Sequence, residues 1–160
     1  IVPLIITAAG MFFFYARINL VYSFTGIILA HVALATPFVV ITVTATLVGF
    51  DMNMVKASQS LGARPVRTFF KVIMPLILPG VISGALFAFI TSFDEVVIVM
   101  FMASLDQLTI PKQMWAGIRQ EISPVILCMA TCLVVLSILL LTTVELLRRR
   151  SEKLRGITSR

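Results

Sequence analysis

Asp94 and Glu95 stand side by side in the segment TSFDEV, where they interrupt an apolar run from about Leu76 to Ala103. A carboxylate at the centre of a bilayer costs on the order of 2.5–3.5 kcal/mol on insertion scales, so one that is kept there faces water, a partner or a cationic solute. The chemistry open to Asp94, with Ser92 before it and Glu95 after it, is attraction of a cation into a path across the membrane. The competing role is structural: a carboxylate that caps or bends a helix, or that pairs with a neighbouring subunit. Consecutive residues on a helix point about 100° apart, so Asp94 and Glu95 are not expected to face one groove equally. His31 lies in another apolar run and is expected as a hydrogen-bonded packing residue rather than a proton relay. Cys128 and Cys132 are four apart on one helix face and are expected to pack rather than to bind metal. Glu145, one turn before Arg148, Arg149 and Arg150, is expected to pair with a cation. The chain has no G-x-x-x-x-G-K-[ST] phosphate cradle, no H-E-x-x-H or other zinc-ligand cluster, and no G-x-S-x-G elbow. No catalytic residue, metal ligand or cofactor of its own is expected.

The elements that must carry these groups are long and apolar. Of 160 residues, 59% are hydrophobic and 12% charged, about half the charged fraction of a soluble domain. The runs are continuous rather than alternating, which predicts an all-α integral membrane protein and not a barrel. Four spans are expected: about 1–16, 24–50, 76–103 and 125–147. The first is shorter than the roughly 20 residues a crossing needs, and Ile1 already lies inside it, so its start is expected upstream. Pro37 is expected to kink the second span. Trp115, in the polar stretch 104–124, suits a membrane interface.

The net charge of +6 is a topology signal rather than a nucleic-acid footprint. Lys56, Arg64, Arg67 and Lys71 fall in one inter-span segment. Arg148, Arg149, Arg150, Lys153, Arg155 and Arg160 fall in the basic tail, 148–160. The alternate loops hold Arg17, Lys112 and Arg119. Ten cations against three place segment 51–75 and the tail in the cytoplasm.

That segment is patterned. Asp51 can cap a helix. In MNMVKASQSL, Met52, Val55 and Leu61 suit one apolar face, while Asn53, Lys56 and Gln59 point elsewhere. Gly62 stands where a helix end favours positive φ, and Pro65 can open a second helix. Pro75 and Pro79 are expected to break that helix and redirect the chain. The result is two short helices joined by a glycine elbow, a shape suited to docking a soluble partner. Gly80, Gly84 and Ala88 repeat every four residues, a small-residue stripe that lets another helix approach.

The stretch KASQSLGARPVRTFFKVIMPLILPGVISG resembles the EAA loop of permease subunits of type I ABC importers. Ala57, Gly62, Val72, Pro75, Pro79 and Gly80 match the family pattern. Lys56 stands for the usual Glu, Ser58 for Ala and Met74 for Leu. The segment SFDE is similar to the Ser-Phe-Asp-Asp or Ser-Phe-Asp-Glu of spermidine/putrescine-type permeases. The resemblance implies a coupling role for Lys56, Ala57, Ser58, Leu61, Gly62, Ala63, Arg64, Phe69 and Pro75 against an ATP-hydrolysing subunit. It implies two copies of that subunit, which would hold ATP and Mg, together with a second permease, an extracytoplasmic substrate-binding protein and about two further N-terminal spans. It places the chain in a bacterial inner membrane. Iron, thiamine and opines are the other solutes such permeases carry. A membrane hydrolase built on Asp94 would need a second carboxylate at matching depth on another span, and none is offered. ATPase stimulation by substrate would separate a transporter from a silent assembly subunit.

Overall fold

The computed structural model describes residues 2–120 and 123–154. Among them there is helix and no strand, as the continuous apolar runs require. The helices are α1 (Leu4–Arg17), α2 (Phe24–Val48), α3 (Asn53–Ser60), α4 (Pro65–Thr68), α5 (Met74–Phe93), α6 (Val97–Met102), α7 (Ile110–Gln120) and α8 (Pro124–Leu154), with a single π-helical turn over Phe69–Ile73 joining α4 to α5. Three stretches are long and apolar enough to cross a membrane: Phe24–Val48, Pro65–Phe93 and Pro124–Thr143. The first expected span appears as α1, apolar but 14 residues long, or about 21 Å.

Two expectations about the helices need correction. Pro75 and Pro79 do not break the helix, which runs on from Pro65 to Phe93. The π turn explains how: the Met74 N–H reaches back to the Phe69 carbonyl, and this wide ring makes room for the ring of Pro75 that follows. Pro37 and Pro79 both lie inside their helices, as membrane helices tolerate. The third run is not one helix to Ala103. It stops at Phe93 and restarts at Val97, so its two carboxylates sit in a break. The fourth expected span lies within α8, whose helix continues through Arg148, Arg149 and Arg150 to Leu154. Cations in the last turns suit the negative end of a helix dipole. Arg155 and Arg160 of the tail lie outside the described residues.

The chain forms two compact units, one of residues up to Leu34 with those from Ile90 onward, the other Ala35–Phe89. In the first, α6 packs against α1, and Ile98 and Met102 are fully buried with Ala8 of α1 and Ala30 of α2. Met11, Phe12, Tyr15 and Ile27 close around them. The turn between α1 and α2 is fastened to this core. The Tyr22 N–H donates to the Met102 carbonyl at 2.9 Å, and the Gln107 amide to the Tyr22 carbonyl at 3.2 Å. Tyr22 has φ 59°, a conformation that a bulky residue keeps only when its surroundings impose it. Ser23 caps α2, accepting from the Gly26 N–H at 3.0 Å.

In the second unit, Gly80 and Gly84 are buried on α5 against Thr46, Thr42 and Val39 of α2. A methyl group at Gly84 would lie 3.0 Å from Val39 Cα, so the helices meet backbone to backbone there. The threonines at this contact spend their hydroxyl protons within their own helix, Thr46 on the Thr42 carbonyl at 2.9 Å and Thr42 on that of Phe38 at 3.0 Å. Both threonine hydroxyls at the contact are therefore paired without a partner across the seam. Ala88 continues the stripe but is half-exposed.

Candidate functional site

The elbow is built as a Schellman turn. Leu61 is the C-cap of α3. The Gly62 N–H donates to the Gln59 carbonyl at 2.9 Å, and the Ala63 N–H to that of Ser58 at 3.1 Å. These two bonds satisfy carbonyls the helix end would otherwise leave open. They require φ 77° at Gly62, the left-handed region that glycine enters without strain. Arg64 is then extended, with φ −68° and ψ 153°, as the residue before a proline must be, and Pro65 is the first residue of α4. At the other end of α3, the Asp51 carboxylate accepts from the Asn53 N–H at 2.9 Å. The two arms are tied together by Ser58 and Thr68, whose hydroxyls are 2.8 Å apart. Thr68 is buried, so the Ser58 hydroxyl, where the family's usual residue is Ala, gives that group its partner.

The arms present one face inward and another outward. Val55, Ser58 and Ala63 are half-buried, and Pro75 is half-buried in the first turn of α5; Lys56, Ala57, Leu61, Arg64 and Phe69 are exposed. Met52 and Leu61, expected with Val55 on one apolar face, are exposed where Val55 is half-buried. They are the N-cap and C-cap of α3, one at each end of the helix. Leu61 is instead 89% exposed, with Val66 at 69% and Phe70 at 61%. Lys56, Arg64, Arg67 and Lys71 are exposed as well. The elbow thus offers large apolar side chains among cations.

The other candidate group lies at the break between α5 and α6. Glu95 is 6% exposed, and its Oε1 accepts from the Ile98 N–H at 2.7 Å. It satisfies a free donor of the first turn of α6 and sits at the positive end of that helix. Ser92 is also occupied: its hydroxyl is 2.7 Å from His31 Nδ1. His31 is therefore the hydrogen-bonded residue expected, and its partner is one that sequence spacing could not reveal. Asp94 alone of the two carboxylates is exposed. It opens on a cleft of about 410 Å³ between the break, α7 and α8, lined also by Phe93, Met114, Trp115, Ile118 and Ser137. Among the described residues that line it, Asp94 is the one that carries a charge. Trp115, read from sequence only as an interface residue, belongs to this cleft.

Among the described residues no group of His, Cys, Asp and Glu is arranged to hold a metal. Cys128 and Cys132 are free and exposed on α8.

A family model, the inner membrane component of binding-protein-dependent transport systems, matches residues 1–153. The chain belongs to this family. It is 32% identical over 150 residues to the spermidine/putrescine transport system permease protein PotC of Haemophilus influenzae, covering 94% of this chain and 58% of that protein. It is 30% identical over 151 residues to PotC of Escherichia coli K12, covering 94% and 57%. To the putrescine transport system permease protein PotI of the same strain it is 35% identical over 103 residues, covering 64% and 37%. The chain spans a little over half the length of the PotC proteins it matches. Membership makes it a multi-pass inner membrane component, in keeping with its three long apolar helices, and its relatives are transport permeases rather than enzymes.

Proposed function

We propose that this chain is a permease subunit of an ATP-driven importer for polyamines such as spermidine or putrescine. It forms half of the translocation path, and residues 51–75 are the lever that couples it to ATP hydrolysis. The observation that carries the reading is the elbow: two short helices set at a fixed angle by the Gly62 turn, with Leu61, Val66 and Phe70 turned outward. Large exposed apolar side chains at the tip of a charged loop call for a partner surface. The partner proposed is an ATP-binding subunit, in two copies, which holds ATP and Mg. Lys56, in place of the family's Glu, meets an acidic residue there. A second permease and an extracytoplasmic binding protein complete the assembly. Closure of the ATPase dimer moves the elbow and opens the path outward to receive substrate. The polyamine assignment follows the names of the relatives and the exposed carboxylate of Asp94. Ser92 and Glu95 serve the path indirectly, by holding the break that presents Asp94.

The orientation is testable by cysteine labelling in intact cells and inverted vesicles. Ser60 is exposed on α3, and Leu105, in the loop between α6 and α7, is 91% exposed. A membrane-impermeant thiol reagent is expected to reach S60C only from the cytoplasmic side and L105C only from outside, each scored over a background without Cys128 and Cys132. Labelling of S60C from outside would place the elbow away from any cytoplasmic ATPase and overturn the lever.

A further inference from the structure

We propose that Arg67 and Lys71 hold the headgroup of an anionic phospholipid of the cytoplasmic leaflet and so anchor the base of the elbow; the proposal rests on the cytoplasmic orientation of residues 51–75. The first ground is charge. Between Ala35 and Phe89 the chain carries Lys56, Arg64, Arg67 and Lys71 and a single acid, Asp51, whose carboxylate is engaged with the Asn53 N–H. The second ground is depth. Arg67 and Lys71 lie on the membrane-crossing helix itself, Pro65–Phe93, and after Lys71 no charged residue follows until Asp94. Residues 72–93 measure about 33 Å as α-helix, close to the ~30 Å hydrocarbon thickness. Lys71 therefore stands at the cytoplasmic edge of the hydrocarbon, at the level of the lipid phosphates, and Arg67 about one turn farther out. The third ground is direction. Both side chains are exposed, and a spacing of four residues sets them one above the other on one face.

A lipid phosphate fits this pair better than an acidic protein segment does. A soluble partner seated on the tip at Leu61 and Gly62 would have to reach up to the hydrocarbon edge to meet Lys71, whereas phosphates already lie there. The guanidinium fork takes two oxygens of one phosphate, and the ammonium adds a point charge on a stem that lies along apolar surface. A zwitterionic headgroup brings its own ammonium into the same field and gains less. Held in this way, the cytoplasmic end of Pro65–Phe93 keeps its depth while the elbow moves.

The test counts bound lipid on the complete subunit in neutral detergent by native mass spectrometry. Phosphatidylglycerol and phosphatidylcholine of the same acyl chains are titrated into wild type, R67Q/K71Q and R67K/K71R, with size-exclusion profiles to show that each is folded. Wild type is expected to retain phosphatidylglycerol at least about tenfold more strongly than phosphatidylcholine. A cation beside an anionic lipid surface is worth about fivefold, so R67Q/K71Q should lose most of that preference and R67K/K71R should keep it. If R67Q/K71Q is not folded, R67Q and K71Q replace it, each expected to lose about fivefold. Equal retention of phosphatidylcholine would overturn the proposal. So would phosphatidylglycerol held by R67Q/K71Q as by wild type, or its displacement by an equal concentration of inorganic phosphate, which would make this a free-anion site. In proteoliposomes, ATP-driven uptake by wild type should rise several-fold as phosphatidylglycerol replaces phosphatidylcholine; an equal rise in R67Q/K71Q would show that these residues anchor nothing. Either failure leaves the elbow's coupling role standing, whereas labelling of S60C from outside defeats the orientation itself, whatever the lipids do.

Discussion

Valine at position 62 will leave the protein in the membrane and stop it transporting. Gly62 has φ 77°, and the left-handed region costs an ordinary residue roughly 1–2 kcal/mol, more for a β-branched one. The space around Gly62 is open: a Cβ built there meets nothing within 4 Å. The penalty is therefore one of backbone conformation alone, and the cheapest relief is to lose the two hydrogen bonds of the Schellman turn. The angle between α3 and α4 then loosens, and Leu61 and Arg64, which flank the turn, change direction. The turn precedes Pro65, so the hydrogen bonds within the Phe24–Val48, Pro65–Phe93 and Pro124–Thr143 helices are kept. ATP-driven uptake is expected to fall by at least about tenfold, the equivalent of ~1.4 kcal/mol at the coupling step, with normal amounts of protein in the membrane. G62N, which tolerates positive φ, should keep most of the activity. Uptake in G62V equal to wild type would show that the elbow transmits nothing.

The second large effect is on folding rather than coupling. Leucine at Gly84 must fit where even a methyl group would stand 2.5 Å from Thr42 Oγ1 and 3.0 Å from Val39 Cα. The obstacle at Val39 is backbone, which no side-chain rotation removes, so α2 and α5 must separate along the seam. Overpacking of this kind costs typically 1–3 kcal/mol and sometimes more. Separation would also forfeit the close contact of Gly80 with Thr46 one turn away. G84L is expected to lower the melting temperature in detergent and the yield from membranes, while G10L, at a glycine with nothing within 4 Å of its Cβ, should change neither. A G84L protein as stable as wild type would mean that the stripe is not a packing seam.

The elbow was legible in the sequence because each of its devices is local. A glycine after an amphipathic segment, a proline three residues later and an aspartate before it each dictate backbone geometry within a few residues, and Gly62, Pro65 and Asp51 take those roles. The small-residue stripe was legible for the same reason at Gly80 and Gly84, though nothing in the spacing says that Thr42, Thr46 and Val39 lie opposite. Asp94 and Glu95 read as an interruption of an apolar run, but the end of one helix and the start of another there were not legible. Both flanks are apolar and helix-compatible, and only the burial of Glu95 against the α6 amide at Ile98 shows that the carboxylate ends one helix and starts another. The prolines misled in the opposite direction: Pro75 reads as a breaker until the π turn before it is seen. Links between distant segments, His31 with Ser92 and Trp115 with Asp94, leave no periodic trace in a single chain.

Central to this account is the coupling of ATP hydrolysis to polyamine movement through this chain, and one measurement addresses it most directly. The complete subunit, reconstituted in proteoliposomes with its ATP-binding subunits, second permease and binding protein, is supplied with radiolabelled spermidine and with ATP on the cytoplasmic face. Spermidine is expected to accumulate only with ATP, the loaded binding protein should speed hydrolysis, and G62V should lower accumulation by at least about tenfold. Accumulation without ATP, or hydrolysis indifferent to loaded binding protein with no spermidine moved, would contradict it.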